Sequence, residues 1–234
     1  MPEWFETLEN RVWLPPDEEG AEEANFIKML LRLRKRQTVL DAPCGAGRIA
    51  FHLAGAGCSV TGVDLHRPFA ERARHRFRRA HLRATFQVMD LREIEFANEF
   101  HGIFNWNGSF GYFSDGGNAA LIRRYFRALR TGGRLLIEQT NRERVLRTFI
   151  PAREDGPIVT RNYWDRATQR VIGHRTINGV DDPKNTSSVR LYTPAQMRRL
   201  LEQAGLIFED IYDYPDAGTF SRSSRRMVVV GRKP

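Results

Sequence analysis

The chain has 234 residues, of which 41% are hydrophobic and 28% charged, the composition of a folded protein rather than a disordered one. That length suits one sizeable domain, or a domain with an insert, and is enough to bury a proper core. The formal charge of +9 rests mostly on arginine; the longest apolar runs are far too short to span a membrane, and two cysteines, Cys44 and Cys58, support neither a disulfide framework nor a zinc site.

The start of the chain, MPEWFETLEN, is acidic and aromatic rather than signal-like, and a cytoplasmic protein is expected. Trp4, Phe5 and Trp13 precede an amphipathic helix expected over residues 22–32. Residues 1–36 read as a helical, aromatic cap that could cover a ligand and exclude water, or equally as a segment whose aromatics anchor the terminus in the core.

Residues 37–41 read as a buried strand, 46–56 as a helix, 58–64 as a second strand and 68–80 as a helix opened by Pro68. Third and fourth strands follow at 84–88 and 100–106. Leu121, Ile122, Tyr125, Phe126 and Leu129 recur at helical spacing until Thr131-Gly132-Gly133, after which 134–139 make a fifth strand. Strands alternating with helices predict an α/β, doubly wound, mostly parallel sheet, with 37–140 as its cofactor-binding core.

The rhythm changes after Asn141. Residues 158–164 and 170–177 flank a polar turn and read as an antiparallel hairpin, whereas 179–188 is turn-rich and expected as a mobile loop. Residues 141–190 thus form a small antiparallel β insert after the fifth strand, a lid or substrate-facing piece. Thr193, Pro194 and Gln196 then write a capping box, Gly205 ends that helix, and strands near 206–212 and 226–232 complete the core over 191–234.

The loop Gly45-Ala46-Gly47-Arg48-Ile49-Ala50 satisfies the G-x-G-x-x-G/A pattern after a strand and before a helix. Asp64, at the end of the next strand, is placed to accept hydrogen bonds from two ribose hydroxyls. Asp41, immediately before the loop, would repel a pyrophosphate at the helix N-terminus and welcome a cation. S-adenosylmethionine, an adenosine carrying a sulfonium and an ammonium but no phosphate, meets both demands. Asp90 follows the third strand, within reach of an adenine amino group, with Met89 and Leu91 able to sandwich the base; a turn-capping aspartate is the other reading of that position.

Asp-Ala-Pro-Cys-Gly-Ala-Gly, Gly-Val-Asp-Leu, Met-Asp-Leu and Leu-Arg-Thr-Gly-Gly-Arg-Leu occur in an order and spacing that resemble the class I S-adenosylmethionine-dependent methyltransferases, most of all the bacterial small-molecule branch. The resemblance implies a seven-stranded, Rossmann-like sheet with its last strand antiparallel. It implies that Asp41, Ala42, Gly45 and Gly47 surround the methionine moiety, Asp64 and Leu65 the ribose, and Asp90 and Leu91 the adenine. Two positions depart from the family pattern: His101 stands where an aspartate is frequent, and Thr131 where proline is usual.

Asn105-Trp106-Asn107-Gly108-Ser109-Phe110-Gly111-Tyr112-Phe113 resembles the family's substrate-side motif. Asn105 is assigned to the cofactor, and Asn107, Phe110 and Tyr112 to the acceptor. Arg142, Tyr163, Arg190 and Tyr192, in or beside the insert, join them as acceptor candidates, with Arg142, Arg190 and Arg225 able to fork a carboxylate or phosphate. No general base is assigned, although His174 or a tyrosine could serve, and no metal is expected. The favoured reading is methyl transfer to a small molecule, driven by positioning. The arginine clusters keep RNA or DNA open as an alternative acceptor; the glycine pattern keeps open a nicotinamide oxidoreductase; and a non-catalytic cofactor-binding subunit is a further alternative.

Overall fold

The computed structural model describes residues 17–234. Trp4, Phe5 and Trp13 lie outside the described residues. Helix α1 (Asp17–Leu30) leads to β1 (Thr38–Asp41), α2 (Arg48–Gly55), β2 (Ser59–Asp64), α3 (Arg67–Arg79), β3 (Ala84–Val88), β4 (Phe100–Asn105), α4 (Asp115–Ala128) and β5 (Leu129–Thr140). Then come α5 (Arg142–Arg147), β6 (Ala152–Asp155), β7 (Ile158–Asp165), β8 (Arg170–Ile177) and β9 (Val180–Arg190), followed by α6 (Pro194–Gln203), β10 (Ile207–Tyr212) and β11 (Arg226–Arg232).

Seven strands form one sheet in the order β10-β11-β5-β4-β1-β2-β3, parallel except for β11, which runs antiparallel to both neighbours. Strand side chains alternate between faces, and both faces are apolar here. Leu40, Ile103 and Ile137 join Ile122 and Tyr125 of α4 and Met197 and Leu201 of α6 on one side. Val39, Phe104 and Leu136 join Ile27 of α1, Leu53 of α2 and Phe77 of α3 on the other. Leu40 and Leu53 are fully buried, so truncating either to alanine would cost about 2–5 kcal/mol.

Helix α1 lies tight against α2. A Cβ on Gly20 would sit 2.8 Å from Arg48 Cγ, and the buried Glu23 forms an ion pair with Arg48. At α6 the capping box is present: Gln196 N–H donates to Thr193 Oγ1 at 3.3 Å, and Thr193 N–H to Gln196 Oε1 at 2.9 Å. Strand β5 starts earlier than the sequence predicts, because Gly132 N–H donates to the Lys233 carbonyl at 3.0 Å and Gly133 accepts from Lys233 N–H at 2.9 Å. The departure at His101 sits at the far end of β4, where its Nδ1 accepts from Thr38 N–H at 3.2 Å.

The segment after Asn141 is a four-stranded antiparallel sheet in the order β6-β7-β8-β9. The hairpin appears as expected; the mobile loop does not. Residues 180–190 form β9, whose first residues pair with the end of β8 before the register slips between His174 and Thr176. That slip absorbs the turn-like residues 182–185 as a bulge, and Pro183 is tolerated because β9 is an outer strand. Strand β6 and the short helix α5 carry no periodicity long enough to be read from sequence.

Candidate active site

The strand order reverses between β1 and β4, and ligands in open α/β sheets sit outside the carboxyl ends of the strands at such a point. Asp41 and Asp64 are the last residues of β1 and β2, and the loop between β1 and α2 turns through Gly45 (φ 52°) and Gly47 (φ 75°), both left-handed. Gly47 also leaves little room for a side chain, since a Cβ would lie 3.0 Å from Ala73 Cβ and 3.3 Å from the Phe86 ring. The Gly45 N–H donates to Asp64 Oδ2 and the His66 N–H to Oδ1, each at 2.8 Å. One carboxylate thereby fixes two loops.

Burial pushes Asp64 above the ordinary carboxylate range, while the two amides pull it back. Asp41 is pushed well above that range, first by burial and then by the charge of Asp64; Arg48 opposes the shift. Arg48 is already paired with Glu23. The cleft therefore holds two buried carboxylates that a cationic ligand would relieve and an added anion would aggravate.

Asp41, Gly45, Asp64, Leu65, Asp90 and Leu91 all line this cleft of about 150 Å³. Of the other expected cofactor residues, Ala42 and Gly47 are buried behind the loop, Met89 packs into the core and Asn105 is fully buried. Asn105 Nδ2 donates to Tyr125 Oη at 3.2 Å, and Tyr125 in turn donates to the Ala42 carbonyl at 3.0 Å. Asn105 thus braces the loop from beneath. Asp90 lines the cleft and also caps the short turn Leu91–Glu93, accepting from Arg92 N–H at 2.8 Å. Hydrogen bonds from the Arg92 guanidinium hold its carboxyl below the usual range. Sequence reasoning passed over Ile49, Phe69, Ser109 and Trp106 in the wall. The indole N–H of Trp106 is buried with no acceptor among the described residues.

A second cavity, of about 650 Å³, lies between the core and the antiparallel sheet, and Asn107 and Tyr112 line both. Asn107 (φ 58°) and Gly108 (φ 66°) turn left-handed together, which aims the Gly108 N–H at Glu138 Oε2, 2.7 Å away. Glu138, near the end of β5, is 1% exposed and also pairs with Arg226 at 3.2 Å. Burial raises its pKa, and Arg226 and the Gly108 amide oppose the rise. Arg170 fastens the loop from above, donating to the carbonyls of Gly111 at 3.0 Å, Tyr112 at 3.2 Å and Phe113 at 3.1 Å.

Several acceptor candidates are placed elsewhere. Phe110 is fully buried, its ring centre 5.7 Å from that of Tyr192 and tilted 43° to it. Tyr192 donates from its hydroxyl to Asp115 at 2.7 Å and accepts from Asn118 at 2.9 Å. Arg190 pairs with Asp115 at 3.1 Å, and its carbonyl accepts from Gln139 at 2.7 Å. These side chains weld the insert to the core, so their polar groups are spent. Arg142 bonds Gln169 and lies over the Trp164 ring, outside both cavity walls. Tyr163 is 58% exposed on β7, and both ring nitrogens of His174 are engaged, by Thr186 and Asp181.

The arginine-rich helix α3 is partly structural, because Arg74 donates twice to the Phe86 carbonyl and Arg76 stacks on the Phe51 ring. Among the described residues, no helix is long and apolar enough to cross a membrane, and no cluster of side chains is suited to a metal ion.

Residues 39–133 match the family model described as a methyltransferase domain. A stretch of 117 residues, 48% of the chain, is 31% identical to the S-adenosyl-L-methionine-dependent Diels-Alderase iccD of Talaromyces variabilis, and spans only 39% of that protein's length. Among solved structures, the CcbJ methyltransferase of Streptomyces caelestis superposes with a TM-score of 0.78 at 20% identity, over 95% of this chain and 100% of the other. The Burkholderia thailandensis 1,6-didemethyltoxoflavin-N1-methyltransferase, solved with 1,6-didemethyltoxoflavin and S-adenosylhomocysteine, gives 0.64 at 22% identity over 99% and 84%. Residues 39–133 thus match a methyltransferase domain, and the chain has the Rossmann-like fold of the S-adenosylmethionine-dependent methyltransferase structures it superposes on.

Proposed function

We propose that the chain binds S-adenosylmethionine in the aspartate-lined cleft and methylates a small molecule held in the adjoining cavity. The observation that carries this reading is the shared wall: Asn107 and Tyr112 face both spaces, so a donor in one and an acceptor in the other meet there. The fit to the cofactor is chemical. Asp64 offers ribose hydroxyls a carboxylate already oriented by two amides, Asp90 and Leu91 offer the adenine an acceptor and an apolar face, and Asp41 offers the methionine end a counter-charge. The cleft's volume is about 150 Å³.

When bound, the cofactor supplies an electrophilic methyl group. The protein's work is to align the acceptor with it and exclude water. The loop of Asn107 and Gly108 is held from below by Glu138 and from above by Arg170, which gives that alignment a rigid frame. Glu138, paired with Arg226 and raised in pKa by its burial, is the carboxylate in the second cavity's wall that could take a proton from an acceptor that needs to lose one.

A second reading, in which the cofactor is held without being consumed, draws on the likeness to an S-adenosyl-L-methionine-dependent Diels-Alderase. Calorimetric titration of S-adenosylhomocysteine into the protein and into Asp64→Ala, with NADH as a parallel ligand, tests the cleft. Micromolar binding lost in the variant supports the proposal, and NADH binding in its place overturns it. A labelled-methyl assay across metabolite pools then separates the two readings, since only methyl transfer labels an acceptor.

A further inference from the structure

Among the described residues, five arginines line the second cavity, Arg144, Arg153, Arg175, Arg225 and Arg226, against one carboxylate residue, Glu138. That carboxylate is already matched by Arg226 at 3.2 Å. Arg153 reaches an exposed aspartate, Asp155, at 3.3 Å, and Arg144 donates to the Ser223 carbonyl at 3.0 Å. Arg225 has no side-chain partner among the described residues, although its backbone carbonyl takes the Asn141 N–H at 3.2 Å. Arg175 projects from β8 beside Tyr112, the residue common to both spaces, and donates to Ser187 Oγ at 3.2 Å. A space of about 650 Å³ with this surplus of positive charge favours an anionic occupant over a cationic one.

From this we infer that the methyl acceptor is an anion, a small molecule carrying a carboxylate or phosphate group that Arg175 and Arg225 grip while its nucleophilic atom faces Asn107 and Tyr112. The inference rests on the cofactor reading for the identity of the reaction, but not for the anion site itself. A guanidinium fork matches either oxyanion, and its charge is permanent, so the grip persists across the physiological pH range. The same field opposes a cationic acceptor such as an amino sugar. The two cavities then have opposite characters, acidic for the cationic donor and basic for the anionic acceptor, and each disfavours the other's ligand.

The test titrates inorganic phosphate and, separately, succinate into the full chain, with and without saturating S-adenosylhomocysteine, against sodium chloride at matched ionic strength. Binding above the chloride control is expected for at least one of the two, and which one answers separates a phosphate from a carboxylate acceptor. Arg225→Gln, on an exposed side chain, is expected to weaken that anion about tenfold. Arg175→Gln is expected to weaken it at least as much, and Arg175→Lys to restore part of it. Both Gln variants should keep the S-adenosylhomocysteine affinity of the parent. No binding above chloride, or unchanged anion affinity in Arg225→Gln combined with Arg175→Gln, overturns the inference. Loss of S-adenosylhomocysteine binding in the parent would sink the cofactor reading and leave the anion arm to be judged alone. In a metabolite extract split on an anion exchanger, label incorporated from the retained fraction supports the anionic acceptor, and label only from the flow-through rejects it.

Discussion

The Gly45 amide and the Asp64 carboxylate, 19 residues apart in sequence, meet at 2.8 Å and tie the loop after β1 to the end of β2. Asp64→Ala removes the acceptor of that amide and of His66 N–H together. A buried amide left unsatisfied costs about 1–3 kcal/mol, so S-adenosylhomocysteine affinity is expected to fall by about tenfold or more. Calorimetry reads the affinity, and circular dichroism checks that the fold survives. An unchanged affinity would remove Asp64 from the cleft's function.

Asp41 makes a pH prediction. Its pKa in the ligand-free fold is raised above the unfolded value, chiefly by burial, so its contribution to stability is full below the usual carboxylate range and is lost as pH rises through the folded value. Asp64, also raised, acts in the same direction. Thermal unfolding followed upward from about pH 4 should show Asp41→Asn gaining on the parent. A cationic ligand pulls the Asp41 pKa down, so binding releases a proton and strengthens with pH. Calorimetry with S-adenosylmethionine in buffers of different ionisation enthalpy should show this release, and buffer-independent heats would refute it.

The two loop glycines should behave differently. Gly45 has a left-handed φ but nothing within 4 Å of a built Cβ, so Gly45→Ala carries only the backbone penalty of about 1–2 kcal/mol. Gly47→Ala adds the contacts with Ala73 and Phe86, and overpacking costs about 1–3 kcal/mol more. Urea unfolding should rank Gly47→Ala as the less stable, and the reverse order would contradict the packing argument.

Glu138→Gln preserves shape and leaves the Gly108 N–H an acceptor while removing the proton-accepting carboxylate. Methyl transfer to an acceptor that must lose a proton is expected to drop by about 10²–10⁴-fold, with S-adenosylhomocysteine affinity unchanged. A rate within twofold of the parent would assign Glu138 a purely structural place.

Arg170 touches three consecutive carbonyls of the loop after β4. Arg170→Ala should speed amide hydrogen exchange across residues 107–113 and raise KM for the acceptor more than it lowers kcat. Equal exchange in parent and variant would show that the loop is held by other means.

The acidic cleft was legible in the sequence because its determinants are local. A buried strand ending in Asp41, a loop needing left-handed glycines and a second strand ending in Asp64 all lie in one short stretch. The acceptor side was not legible. Arg190 and Tyr192 look like ligand groups in isolation and become structural only through Asp115 and Gln139, which lie 51–77 residues away. Arg144, Arg175 and Arg226 reach one cavity from three different elements, and no spacing announces that. Strand β9 was hidden by residues that favour turns and that a bulge accommodates.

That bulge bears on how copies of the chain meet. An outer strand normally offers a continuous row of amides and carbonyls on which another strand can add. On β9 the row is broken where the register slips, and Pro183 has no amide to give. The insert can therefore hold its four-stranded sheet over the second cavity without presenting this margin as a template for aggregation.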